Sequence, residues 1–211
     1  MIFAILPVKA PGNAKQRLAG VLSAQQREAL ARMMYEDTLA ALCAAEGIGR
    51  VVVVTSDAGA ACLARRSGAL VFEEREQESH SASADSACRR ALELGATTAI
   101  LVPIDVPLAT KADFKCLAAA ARPGVVIVPS SDGTGTNALV RTPPNAIESR
   151  FGPGSFRAHL EQARKKCIPA DVLRVPGLMF DIDTPEDVAE LLARAPECRA
   201  ARFLEPLCAW K

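Results

Sequence analysis

Histidine is almost missing from this 211-residue chain: His80 and His159 are the only two. That argues against a histidine-built metal centre and against a His-driven catalytic triad. An excess of either charge is missing too. Lys and Arg number 25 and Asp and Glu 24, a net +1, which is not the basic surplus of a general nucleic-acid binder. No apolar stretch reaches the roughly 18 residues needed to span a bilayer. The start, MIFAILPVK, lacks a charged n-region and a small-residue cleavage site, so it reads as a first strand and not as a signal peptide. The seven cysteines (Cys43, Cys62, Cys88, Cys116, Cys167, Cys198 and Cys208) are scattered and form no C-x-x-C pair. They read as reduced thiols in a cytoplasmic protein, not as a disulfide framework or zinc site. Repeats and linkers are also absent. Half the residues are hydrophobic, enough for one core. One domain over 1–195 is expected, with 196–211 as a tail packed on it.

What is present is an alternation of short apolar runs with helical patterns. Runs at 2–6, 51–54, 70–72, 99–102, 125–128, 138–140 and 171–175 read as strands. The unbroken Val51–Val54 has the pattern of a parallel strand covered on both faces. Ser23 with Gln26 forms a capping-box signature for a long helix ending near Gly47. Further helices are expected at 58–67, 85–94, 111–121 and 155–166, with a last one capped by Thr184 and opened by Pro185. Residues 73–83 read as a polar loop. The alternation predicts an α/β fold: a mostly parallel sheet with helices on both faces.

In such sheets ligands bind beyond the carboxyl ends of the strands. The first of these ends carries "ILPVKAPGNAKQRLAG". It is neither G-x-G-x-x-G nor a Walker A sequence. Lys9, Lys15 and Arg17 can neutralise a triphosphate there, and Gly12 allows a tight bend. The same residues also fit a solvated cationic loop. Asp105, in "LVPIDVPL", follows a buried run and sits between two prolines, where a turn Asp is also common. In "LMFDIDTPEDV", Asp181 and Asp183 point to one side of an extended chain, and two close carboxylates call for a cation between them. Alternatively, Asp183 or Thr184 only caps the next helix. Three aspartates facing a cationic loop suit Mg²⁺ on phosphate oxygens. "DGTGTNAL" and "RFGPGSF" mix glycine with hydroxyl residues, and Ser155 can open a helix whose N–H groups suit an anion, or each can be a plain turn.

Taken together, "LPVK…AKQRLAGVLS", "LVPIDVPL", "DGTGTNAL", "RFGPGSFRAHL" and "GLMFDIDTPEDV" resemble the CofC/FbiD guanylyltransferases of coenzyme F420 biosynthesis, from about Ile2 to about Leu192. The resemblance implies a single Rossmann-like domain of the GT-A, MobA-like nucleotidyltransferase type. It implies GMP transfer from GTP to 2-phospho-L-lactate, phosphoenolpyruvate or 3-phospho-D-glycerate, with release of pyrophosphate. By that resemblance Asp105, Asp181 and Asp183 bind Mg²⁺, and Lys15 and Arg17 act with Asp105 in catalysis. Pro7, Val8, Lys9 and Lys15 belong to the GTP loop, and Thr136, Gly152 and Ser155 hold the phosphorylated acid. One stretch departs from the pattern. Relatives commonly read G-L-N-x-A or P-L-N-x-A where this chain has "SADSA", so Asp85 stands in the place of a nucleotide-binding Asn. Cys88, Asn137 and the His80 loop are candidates for the rest of the acceptor wall.

The expected partners are therefore GTP and a small phosphorylated acid, with no nucleic acid or membrane; a homodimer is an open option. Rival readings are another MobA-like enzyme acting on molybdopterin or a sugar phosphate, and a nucleotide-binding module without catalysis.

Overall fold

The apolar runs become strands of one seven-stranded sheet in the order β3-β2-β1-β4-β6-β5-β7. The computed structural model describes residues 1–9, 15–74 and 79–207. Along the chain the elements are β1 Ile2–Pro7, α1 Ala24–Cys43, β2 Arg50–Thr55, α2 Ala58–Arg66, β3 Leu70–Glu73, α3 His80–Glu93, β4 Thr98–Leu101 and α4 Lys111–Ala119. They continue as β5 Gly124–Pro129, β6 Thr136–Thr142, α5 Ser155–Lys165, β7 Ala170–Val172, α6 Pro176–Met179, α7 Pro185–Arg194 and α8 Arg199–Leu204. β6 alone runs antiparallel, paired with β4 on one side and β5 on the other. Its first residue, Thr136, therefore lies at the edge where the parallel strands end.

Helices cover both faces, as the unbroken apolar strands require. Tyr35, Leu39, Leu42, Ala60, Ala64, Phe114 and Leu117 bring α1, α2 and α4 onto one face. Ala84, Ala87, Ala91 and Ala163 bring α3 and α5 onto the other. The alanines let α3 lie close to the sheet. A third cluster, with Leu18, Leu30, Met34, Phe180, Ile182, Leu191 and Leu204, packs α7 and α8 on α1. No helix among the described residues is long and apolar enough to cross a membrane.

Local chemistry sets the helix starts. Ser23 and Gln26 form the expected reciprocal cap of α1. At α7 the box is made by Thr184 and Asp187: the Thr184 hydroxyl accepts from Asp187 N, and Asp187 Oδ2 accepts from the backbone N–H groups of Asp183 and Thr184. The helix thus uses Thr184 and leaves the Asp183 carboxylate for other work.

Several boundaries differ from the sequence reading, α1 among them, which ends at Cys43 and not near Gly47. α3 begins at His80, not near 85, because Ser79 caps the N–H of Ala82 and starts the helix within a polar, serine-rich stretch. β7 stops at Val172, and Pro176 then opens the single turn α6. Asp181 and Asp183 accordingly follow a helical turn instead of a strand, and Asp105 lies in a loop beyond the end of β4. Beyond Pro196 the tail forms the short helix α8.

Candidate active site

The carboxyl end of β1 opens into a cleft of about 930 Å³, with Lys9, Lys15, Arg17, His80, Asp105 and Asp183 among its lining residues. Pro7 and Val8 line it as well. Val8 extends the sheet by donating to Val54 O at 2.8 Å, which carries Lys9 out beyond the strand end. The bend around Gly12 expected from the sequence lies outside the described residues.

Lys15 is the centre of the cleft. Its side chain is only 7% exposed, and its Nζ lies 2.7 Å from Asp105 Oδ2 and 2.9 Å from Asp183 Oδ1. Its backbone is left-handed, at φ 51°, just before a 3-10 turn over Gln16–Leu18. A lysine rarely takes that conformation unless its surroundings hold it there; buried Leu18 on one side and the two carboxylates on the other supply the hold. Burial pulls the ammonium down, but Asp105 and then Asp183 outweigh it, so Lys15 titrates above its ordinary value. Burial likewise pushes Asp105 up, and Lys15 more than reverses that, holding it below the usual carboxylate range. Arg17 stands further out, with NH1 3.6 Å from Asp183 Oδ2.

Asp181 and Asp183 lie on one side of their segment because the alternating residues Phe180 and Ile182 are buried in the third cluster. The Asp181 carboxylate accepts from Asn137 Nδ2 at 2.9 Å, which joins it to the start of β6. Burial pushes Asp181 up to about 6; the Asn137 hydrogen bond opposes this, and the charges of Asp105 and Asp183 add to it. Ile182 N donates to Asp105 O at 3.1 Å, so the two acidic segments are tied together. Among the described residues, no three acidic, His or Cys side chains gather at metal-binding distance. The Lys15 ammonium occupies the position between Asp105 and Asp183.

Next to Asn137 is Thr136, and the two glycine-containing motifs converge on it. Phe156 N donates to Thr134 O, which ties the start of α5 to the β5–β6 turn. Gly152 and Gly154 hold φ of 124° and 71°, conformations that favour glycine, and turn the chain into α5 at Ser155. His159, one helical turn after Ser155, reaches both motifs: its Nδ1 lies 3.0 Å from Thr136 Oγ1, and its Nε2 accepts from Arg150 N at 2.9 Å. The i, i+4 spacing from Ser155 is the one sequence signal that could have marked His159. His80 is half-buried, edge-on to Phe151 with ring centroids 5.0 Å apart, and Phe151 stands edge-on to His159 at 5.3 Å. An aromatic row therefore runs from the cleft, which His80 lines, to Thr136, which His159 touches.

Asp85 is not brought to the cleft. Its carboxylate accepts from Arg141 NH1 at 2.8 Å and from the N and Oγ of Ser149. Arg141 is 1% exposed and also donates to Ile147 O and Cys88 Sγ. Asp85 does not line the cleft; in this arrangement its oxygens hold α3 and residues 147–149 on β6. Cys88 belongs to the same buried network. Asp85→Asn should lower thermal stability by about 2–3 kcal/mol, the loss of a charge-assisted bond to a buried cation. It should leave the apparent affinity for GTP unchanged, as checked by melting and by GTP saturation on the same sample.

The sequence pattern of the CofC-like guanylyl transferases matches residues 2–209. The chain belongs to that family. Among named relatives of this CofC-like chain, a phosphoenolpyruvate guanylyltransferase of Conexibacter woesei is 36% identical over 192 residues, 90% of this chain and 86% of its own. A 3-phospho-D-glycerate guanylyltransferase of Colwellia psychrerythraea is 36% identical and covers 90% of both chains. A 2-phospho-L-lactate guanylyltransferase of Methanothermobacter thermautotrophicus is 33% identical, over 97% of this chain and 90% of its own. The fold is that of nucleotide-diphospho-sugar transferases. A Desulfovibrio desulfuricans structure so described superposes with a TM-score of 0.77 at 17% identity, covering 97% of this chain and 94% of its own. A manganese complex from Mycobacterium tuberculosis superposes at 0.54 and 18% identity, covering 91% and 97%.

Proposed function

We propose that this CofC-like protein transfers GMP from GTP to the phosphate of a small three-carbon acid, in the formation of coenzyme F420. The observation that carries this reading is a chain of contacts along one sheet edge. Lys15 joins Asp105 to Asp183, Asn137 joins Asp181 to β6, and Thr136 stands next to Asn137 at the start of β6, so cationic, acidic and hydroxyl groups share one sheet edge. A nucleotide-binding module would need the first part but not the last.

In the proposed reaction an acceptor phosphate oxygen attacks the α-phosphorus of GTP. A new P–O bond forms, the bond to the bridging oxygen breaks, and pyrophosphate leaves with that electron pair. The attacking oxygen is already ionised, so the protein has to supply position and positive charge, not a nucleophile or strong base. Lys9, Lys15 and Arg17 are assigned to the triphosphate, where Lys15 and Arg17 balance the charge growing on pyrophosphate. Pro7 and Val8 are assigned to the nucleotide as well. Thr136, Gly152 and Ser155 are assigned to the acid: hydroxyls and a tight glycine turn admit a small anion and leave little room for a pterin.

The acidic residues fit a hard divalent cation. Asp105 and Asp183 share Lys15, and the buried Asp181 beside them has only an amide partner. Asp105, Asp181 and Asp183 would hold Mg²⁺, and the chemistry the ion supplies there is neutralisation and alignment of the transferring phosphoryl group.

Incubation with GTP, Mg²⁺ and each acid separately tests the assignment. Pyrophosphate should appear with phosphoenolpyruvate, the acceptor named for the Conexibacter relative, or with one of the other two acids. Release only with a sugar phosphate or molybdopterin would move the protein to another reaction.

A further inference from the structure

His159 is fully buried, carries no charge partner of its own, and has no part in the reaction just described. We propose that it is a positioning residue of the acceptor pocket, which fixes the Thr136 hydroxyl as a hydrogen-bond donor toward the bound acid. The inference rests on the assignment of Thr136 to the acceptor.

Proton placement on the imidazole decides the direction of each bond. The backbone N–H of Arg150 can only donate, and it points at Nε2 from 2.9 Å. Nε2 must therefore be the unprotonated nitrogen. A neutral imidazole then carries its proton on Nδ1, 3.0 Å from Thr136 Oγ1. Burial, with Arg141 adding to it, pulls His159 down to about 4, so the ring is neutral at neutral pH. The Thr136 oxygen accepts from Nδ1–H, and its own proton is left to point away from the ring. A hydroxyl can serve an anion only as a donor, and it could otherwise rotate freely between roles. The ring takes that choice away. Through Arg150 the same imidazole also holds the entry to the turn containing Gly152. One side chain thus ties the start of β6 to the segment before the Gly152 turn, and Phe151, edge-on to it, limits its rotation.

Two substitutions separate the two bonds. His159→Asn retains a donor near the Nδ1 position and loses the partner of Arg150. His159→Gln retains an acceptor near Nε2 and loses the donor to Thr136. The acceptor KM should rise about tenfold in His159→Gln, the worth of one hydrogen bond to an anion. The GTP KM should stay the same, and His159→Asn should stay closer to wild type in acceptor KM. In a Thr136→Val background, His159→Gln should add nothing, because the hydroxyl it orients is gone. Nitrogen NMR of the imidazole should report the neutral Nδ1–H form at pH 7, a readout that needs no turnover.

An Nε2–H or charged ring would overturn the proposal. So would equal acceptor KM in wild type and His159→Gln, equal rises in both variants, or a full additional loss in the Thr136→Val background. Calorimetry with phosphoenolpyruvate keeps this inference apart from the reaction itself. Binding that weakens in His159→Gln, without guanylyl transfer in any mixture, would retire the reaction and retain the pocket. Failure of the wild type to bind phosphoenolpyruvate and both of the other two acids would overturn the pocket.

Discussion

Asp105→Asn should lower turnover by about a hundredfold to a thousandfold, the scale of losing one preorganised charge at a reacting phosphoryl group. The substitution keeps size and removes only the charge. Asp105 receives the shortest bond from Lys15, at 2.7 Å, and its backbone carbonyl is tied to Ile182 between the other two aspartates. It is therefore the carboxylate on which both the cationic and the acidic parts depend. Some stability should go as well, about 1.5–3 kcal/mol, because a lysine that is 7% exposed loses one of two charged partners. Single-turnover kinetics on a variant shown to be folded at the assay temperature separates the two effects. Turnover within a few-fold of wild type would remove Asp105 from the reaction.

Lys15→Met should lower kcat/KM for GTP by about ten- to a hundredfold, equivalent to one charge-assisted contact with the triphosphate. Methionine keeps most of the buried stem, so the loss reads charge and not packing. The acceptor KM should not change, since Lys15 reaches Asp105 and Asp183 and not Thr136. GTP saturation at fixed acid, followed by acid saturation at fixed GTP, gives the two values. Unchanged GTP kinetics would mean that Lys15 only neutralises two carboxylates.

The sheet was legible because its strands are buried on both faces and so read as unbroken apolar runs, Val51–Val54 most plainly. The long helix was legible at Ser23 because a reciprocal cap needs two residues at fixed spacing. α3 was misplaced for a related reason: its first turn, from His80 through Ala84, is polar and small, and Ser79 as a cap outweighs that local preference. The aspartates could be picked out as a group, but not their surroundings. No spacing rule places a lysine at position 15 between carboxylates at 105 and 183. The surroundings of Asp85 were not legible because Arg141 lies 56 positions further on, and only pairing of β6 with β4 brings it under α3. His159 escaped for the same reason: Thr136 and Arg150 meet it only after the β5–β6 turn is docked on α5.

The central claim is that one continuous site takes GTP on its cationic side and a small phosphorylated acid on its hydroxyl side. Mass analysis of the reaction products tests it most directly. The account predicts a guanylyl–acid conjugate with a phosphoanhydride linkage, formed in equal amount to pyrophosphate and only when GTP, acid and divalent cation are all present. Pyrophosphate formed without the acid, or GTP left intact in the complete mixture, would contradict it.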